Sequence, residues 1–128
     1  MDIFRRDEIE VFAHPGVTSR QLLHPGNAAS ARVTITRVSL DPGAVNSRHS
    51  HSDSEQTWIA LEGSGKLLLA DGATLPFVEG DVARFAPGEV HGLRNTGVAP
   101  FVYIAVTSPP LDFRGAYEAA SERARPQP

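Results

Sequence analysis

Eight Gly- or Pro-centred turn signals divide the stretch 15–97 into short pieces: Pro15-Gly16, Pro25-Gly26, Asp41-Pro42-Gly43, Gly63-Ser64-Gly65, Asp71-Gly72, Glu79-Gly80-Asp81, Pro87-Gly88 and Asn95-Thr96-Gly97. The intervening segments are rich in Val, Ile, Leu, Thr and Phe and too short for a succession of helices, the pattern of a β-sandwich or barrel. Strands are predicted over 19–23, 31–40, 56–61, 65–70, 73–78, 82–85, 91–94 and 101–107. Asp71-Gly72 reads as a two-residue hairpin, since both residues tolerate the positive φ that such turns require. Only 116–124 is built of helix formers, with Pro126 and Pro128 as its stop. It reads as a short surface helix or frayed tail. The chain is all-β with a C-terminal helix.

At 128 residues the chain suits one domain, 1–128, with an N-terminal arm over 1–18 and a helical tail over 115–128. The absence of Cys removes disulfides, thiolate metal sites and thiol nucleophiles together, so any metal must take His, carboxylate or amide ligands. Twelve Lys and Arg against fifteen Asp and Glu give a net charge of −3 without a basic run, which argues against a nucleic-acid partner. The mixed-charge start has no apolar stretch behind it, and the longest apolar run, 101–106, is far short of the ~20 residues of a membrane helix. The expectation is a soluble, cytoplasmic protein with no membrane partner.

Three of the five His residues fall in two glycine-bounded segments. In the first, Gly43 to Gly63, His49 and His51 stand two apart, and in a strand such residues point to the same side, so both imidazoles can meet one ion. The second, Gly80 to Asn95, brings His91 after the Pro87-Gly88 turn. If the two segments pair across a barrel, His91 completes a ligand set with His49, His51 and an acidic or amide residue that follows them.

These residues resemble the two motifs of the cupin family. The first cupin motif runs Gly, five residues, His-x-His, three or four residues, Glu, six residues, Gly; Gly43, His49, His51 and Gly63 fall on it. The second runs Gly, five residues, Pro-x-Gly, two residues, His, three residues, Asn; Gly80, Gly88, His91 and Asn95 match, with Ala86 in the usual Pro position. The resemblance implies a double-stranded β-barrel of the jelly-roll type with motif 1 at 43–63 and motif 2 at 80–95. It also implies one divalent transition metal per chain (Mn, Fe, Ni, Zn or Cu) on His49, His51, His91 and a fourth residue. Counting back from Gly63 selects Gln56 for that place; counting forward from His51 permits either Glu55 or Gln56. Some cupins that open unsaturated uronates to linear keto forms are similar in using Gln.

With Gln56 the donors are neutral and leave a divalent ion its full +2 charge, a stronger Lewis acid than a site with Glu. That favours isomerisation, ring-opening or lyase chemistry on a small oxygen-rich substrate, a sugar acid or keto compound. An iron-dependent dioxygenase and a non-catalytic ligand-binding or sensor cupin with a structural metal are the rival readings.

Placing Gln56 inward turns Trp58 and Ala60 inward with it, and Thr57, Ile59 and Leu61 outward. Trp58 then walls a pocket and is a candidate substrate contact. The outward Ile59 and Leu61 need cover, which either a homodimer or the N-terminal strand or terminal helix lying over this row supplies. Tyr103 is a candidate proton donor from the last apolar strand. Arg37, in a long apolar strand, is a candidate anchor for a substrate carboxylate. Arg48, which alternation points away from the metal, reads as a solvated charge or one that acts behind the metal ligands, and His14 and His24 read as turn residues beside Pro.

Overall fold

The structure is a computed structural model that describes residues 1–29 and 31–124. Its strands are β1 (Glu10–His14), β2 (Val17–Leu23), β3 (Thr34–Leu40), β4 (Val45–His49), β5 (Glu55–Glu62), β6 (Ser64–Leu68), β7 (Thr74–Val78), β8 (Val82–Phe85), β9 (His91–Asn95) and β10 (Phe101–Ser108), followed by helix α1 (Arg114–Ala124). They form two antiparallel sheets, β1-β2-β3-β10-β5-β8 and β4-β9-β6-β7. The two sheets enclose one core, so the chain is a double-stranded β-barrel.

Alternation decides what enters that core. Along β3, Thr34, Thr36, Val38 and Leu40 are buried while the residues between them are partly exposed. Along β5 the buried set is Gln56, Trp58 and Ala60, with Ile59 and Leu61 each 37% exposed on the outer face. Trp58, Leu40, Leu93 and Phe101 are fully enclosed, and Tyr103 nearly so. Burying each aliphatic or Phe side chain among them contributes about 1.5–3 kcal/mol. The polar inward residues Gln21, Thr36, Gln56 and Thr107 interrupt this apolar wall and mark one level of the barrel as something other than core.

The turn punctuation located eight strands to within three residues. It did not locate β1, which lies inside the stretch read as an arm, nor β4. β4 is Val-Asn-Ser-Arg-His, polar on both faces, and carries no period-2 apolar signal. It is held by backbone pairing to β9 (Val45 with Arg94, Asn46 with Leu93, His49 with His91), with a register shift before His49. Gly92 makes that approach possible: a Cβ there would lie 2.7 Å from the Asn46 carbonyl oxygen and 2.9 Å from the Arg48 nitrogen. The Asp71-Gly72 turn has the expected positive φ values, 58° and 75°. Its loop is one residue longer than expected, because Leu69 bonds to Ala73 across Ala70-Asp71-Gly72.

Helix α1 begins at Arg114 and is not a free tail. Tyr117 packs on the core beside Phe12, with ring centroids 5.9 Å apart, and Arg114 sits over the Phe12 ring and pairs with Glu10. The proposed stops Pro126 and Pro128 lie outside the described residues. Among the described residues no helix is long and apolar enough to cross a membrane.

Candidate metal centre

The β4–β9 pairing sets His49 beside His91, with ring centroids 4.3 Å apart. His51 reaches the same point by a different route from the one alternation suggests. β4 ends at His49, and His51 turns in from the loop beyond it, 5.0 Å from His49 and 5.2 Å from His91 between ring centroids. One nitrogen from each of the three rings lies within 4.8 Å of the other two.

Hydrogen bonds fix which nitrogens those are. His49 Nδ1 lies 2.7 Å from the Ser47 carbonyl oxygen and His91 Nδ1 lies 2.8 Å from that of Glu89. A carbonyl only accepts, so each Nδ1 carries the hydrogen and each Nε2 turns a lone pair inward. His51 Nε2 is buried without a partner. Burial pushes all three imidazoles toward the neutral form, His91 most strongly, to about 4. Phe85 stacks on His91 at 4.4 Å between centroids and shields it.

Gln56 enters from the opposite sheet. Its Oε1 accepts from Trp58 Nε1 at 2.9 Å and lies 3.0 Å from His91 Nε2, while its Nε2 donates to Thr107 Oγ1 at 2.8 Å. With the His91 hydrogen on Nδ1, the Gln56 oxygen and the His91 nitrogen face each other as two lone-pair atoms. A buried contact between two acceptors is unfavourable unless a cation lies against both. The orphaned His51 nitrogen, the two inward Nε2 atoms and this amide oxygen therefore fit a divalent ion as an N3O donor set. Glu55, the alternative fourth ligand, faces the other way: its carboxylate lies on the outer surface and pairs with Arg84.

His49, His51 and Gln56 line a cavity of about 440 Å³, and His91 stands against His49 and Gln56 without being part of that lining. Trp58 and Tyr103 form part of the cavity wall. The Tyr103 oxygen accepts from Asn46 Nδ2 at 3.0 Å, which leaves the phenol hydrogen for a cavity occupant, and complete burial raises its pKa far above the usual phenol value. Arg37 is not brought to this site. It lies on the face of β3 opposite Thr36 and Val38, which line the cavity, and pairs in register with Arg20 and Ile104 on the outer surface. Arg48 spans β4 and the β6–β7 turn, donating from Nε to the Leu69 carbonyl at 2.8 Å. Asn95, matched by the second motif, is a turn organiser: it bonds Leu40, Ala99 and Gly97.

Sequence reasoning missed part of the cavity wall. His14, read as a turn residue, lines the cavity with Phe113 and Tyr117; the His14 and Tyr117 ring centroids lie 5.3 Å apart, and that of Phe113 lies 5.8 Å from that of His51. His24 does act in a turn, its Nδ1 accepting from Gly26. A Tyr within an otherwise small and polar helix was the one available signal for this wall, because a surface helix has no need of a large aromatic.

Comparison with known proteins agrees with the geometry. Over 79 residues the chain is 32% identical to glucose-6-phosphate isomerase of Pyrococcus abyssi, covering 59% of this chain and 41% of that one. A sugar phosphate isomerase of Silicibacter pomeroyi superposes with a TM-score of 0.68 at 26% identity, covering 84% of this chain and 75% of that one. KdgF from Halomonas sp. shares the fold, with a TM-score of 0.73 at 22% identity over 87% of this chain and 97% of that one. The Cupin domain family pattern matches residues 36–107, a span that runs from β3 to β10 and holds all three inward imidazoles. The two-sheet barrel, the convergent His residues and this match together make the chain a member of the cupin family.

Proposed function

We propose that the cavity is an active site in which His49, His51, His91 and Gln56 hold one divalent transition metal, used for isomerisation, ring-opening or lyase chemistry on a sugar acid or keto compound. The observation that carries this reading is the entirely neutral donor set, three of whose four residues line a cavity that also carries hydroxyl groups. When bound, such an ion supplies Lewis acidity toward a carbonyl or enol oxygen with its +2 charge undiminished by a ligand carboxylate. The names of the Pyrococcus and Silicibacter proteins, both isomerases, support the same class.

The chain's own groups divide the remaining work. Trp58 and Val38 present apolar surface that excludes water, while Ser19 and Thr36 offer hydroxyls to a polar substrate. No carboxylate is among the described cavity-lining residues. Proton transfer therefore falls to the Tyr103 phenol, kept protonated by its burial and oriented by Asn46, with His14 and Tyr117 also in the lining.

The test is azide binding to Co(II)-loaded protein, followed by turnover of a panel of uronates, keto acids and sugar phosphates read by NMR. An open, catalytic site predicts an azide-dependent visible spectrum and a product isomeric with its substrate or formed by elimination. Tyr103→Phe should then lower kcat by about 10²-fold or more with metal content unchanged. A spectrum indifferent to azide would favour the structural-metal reading, and turnover that consumes O₂ would favour the iron dioxygenase.

Ile59 and Leu61, with Val82 63% exposed on the neighbouring strand, support a homodimer through this face. Light scattering should give twice the chain mass, shifted toward the monomer by Ile59→Asp with Leu61→Asp. A monomeric wild type at micromolar concentration would contradict it.

A further inference from the structure

Gln56, Trp58 and Thr107 form a hydrogen-bonded chain that the backbone places without help from the surface. Gln56 and Trp58 are two apart on β5 and share its inner face, and Thr107 of β10 is the direct antiparallel partner of Gln56. All three side chains are buried: Gln56 is 4% exposed, Trp58 and Thr107 are 0%. A glutamine amide is nearly symmetric in shape, so packing alone does not decide which end faces the His residues. An indole nitrogen does decide it, because it only donates. With Trp58 Nε1 2.9 Å from one end of the amide, that end must be the oxygen. The reversed amide would set two donors against each other and strand the buried indole N–H. Thr107 Oγ1 takes the amide hydrogen at the other end, 2.8 Å away.

We infer that Trp58, with Thr107, is a positioning residue: its indole N–H aims the Gln56 carbonyl oxygen at the ion shared with His49, His51 and His91. The inference rests on the metal reading proposed above and adds to it the device that selects oxygen over nitrogen at the fourth position. Trp58 thus acts through another residue as well as forming wall. Groups that orient a ligand in this way typically change metal affinity 10–100-fold when removed.

The experiment replaces the indole N–H without changing the ring shape, by incorporating β-(3-benzothienyl)alanine at position 58, which has sulfur in place of N–H. Trp58→Phe and Thr107→Val are companion variants. Co(II) affinity is measured by chelator competition, the Co(II) visible spectrum is recorded, and the melting curve of each metal-free protein is taken. The expected result is Co(II) binding about 10–100-fold weaker for the benzothienyl protein, with a spectrum moved toward that of Gln56→Ala and a barrel that still melts cooperatively. The same replacement made in Gln56→Ala should change affinity no further, as required of a residue that acts only through Gln56.

A benzothienyl protein with wild-type affinity and spectrum would overturn the positioning role while leaving the metal reading intact. Equal losses in the presence and absence of Gln56 would show a general structural effect and overturn it as well. A wild type that binds no Co(II) would overturn the metal reading itself.

Discussion

His91→Ala is expected to yield a folded barrel that no longer retains a divalent ion. His91 stands where the two sheets meet: β9 carries it, β4 sets His49 opposite, and Gln56 of the other sheet lies 3.0 Å from its Nε2. Removing an outer group that merely orients a ligand costs 10–100-fold in metal affinity, so losing one of the three inward imidazoles should cost more than about 100-fold. The fold should survive, because buried truncations of this kind typically cost 0.5–3 kcal/mol against the 5–15 kcal/mol stability of an ordinary domain. Elemental analysis with a circular-dichroism melt decides the matter. Wild-type metal content in a folded variant would remove His91 from the site.

The second large effect is a difference between neighbours. Gln56→Ala should weaken metal binding by roughly 10–100-fold, less than the loss of an imidazole because water can take the place of a neutral amide oxygen, while Glu55→Ala should leave it within about twofold, since Glu55 sits outside the barrel in an exposed pair with Arg84. Such pairs contribute about 0–1 kcal/mol, so Glu55→Ala should be nearly silent in stability too. Gln56→Glu should keep the metal yet reduce its net charge from +2 to +1, slowing a reaction that depends on Lewis acidity. Chelator competition on the three variants reads the ranking. If Glu55→Ala is the damaging change, the neutral-donor argument fails and an iron-centred oxidation becomes the better account.

The neighbouring pair also shows how far the sequence reaches. Counting from His51 left Glu55 and Gln56 both open, because a loop can absorb one residue. Counting from Gly63 along a regular strand could not slip, and it agrees with the parity found in β5, where Gln56, Trp58 and Ala60 are buried. Regular strands with one apolar face, such as β3, β5 and β10, were legible for this reason. β4 was not, since its pairing depends on backbone bonds to β9 and on the missing Cβ of Gly92, neither of which leaves an apolar period.

Two placements depend on geometry beyond the local chain. Arg37 lies in an apolar strand, and sequence alone offers no reason to choose its face; the register with β10 and β2 turns it outward. Tyr117 follows the last strand in a stretch of small and charged residues, and only the path of the chain after β10 brings it into the cavity wall beside His14, with ring centroids 5.3 Å apart. The His-x-His spacing led to the correct neighbours through an incomplete premise, because His51 lies past the end of β4 and arrives through the loop.

The central claim is that one divalent ion sits among three imidazoles and one amide oxygen, and anomalous diffraction from crystals of protein loaded with a single divalent metal tests it most directly. The account predicts one anomalous peak per chain inside the cavity, bordered by Nε2 of His49, His51 and His91 and by Oε1 of Gln56. A peak that involves Glu55, or a peak on the surface with none among the three imidazoles, would contradict it.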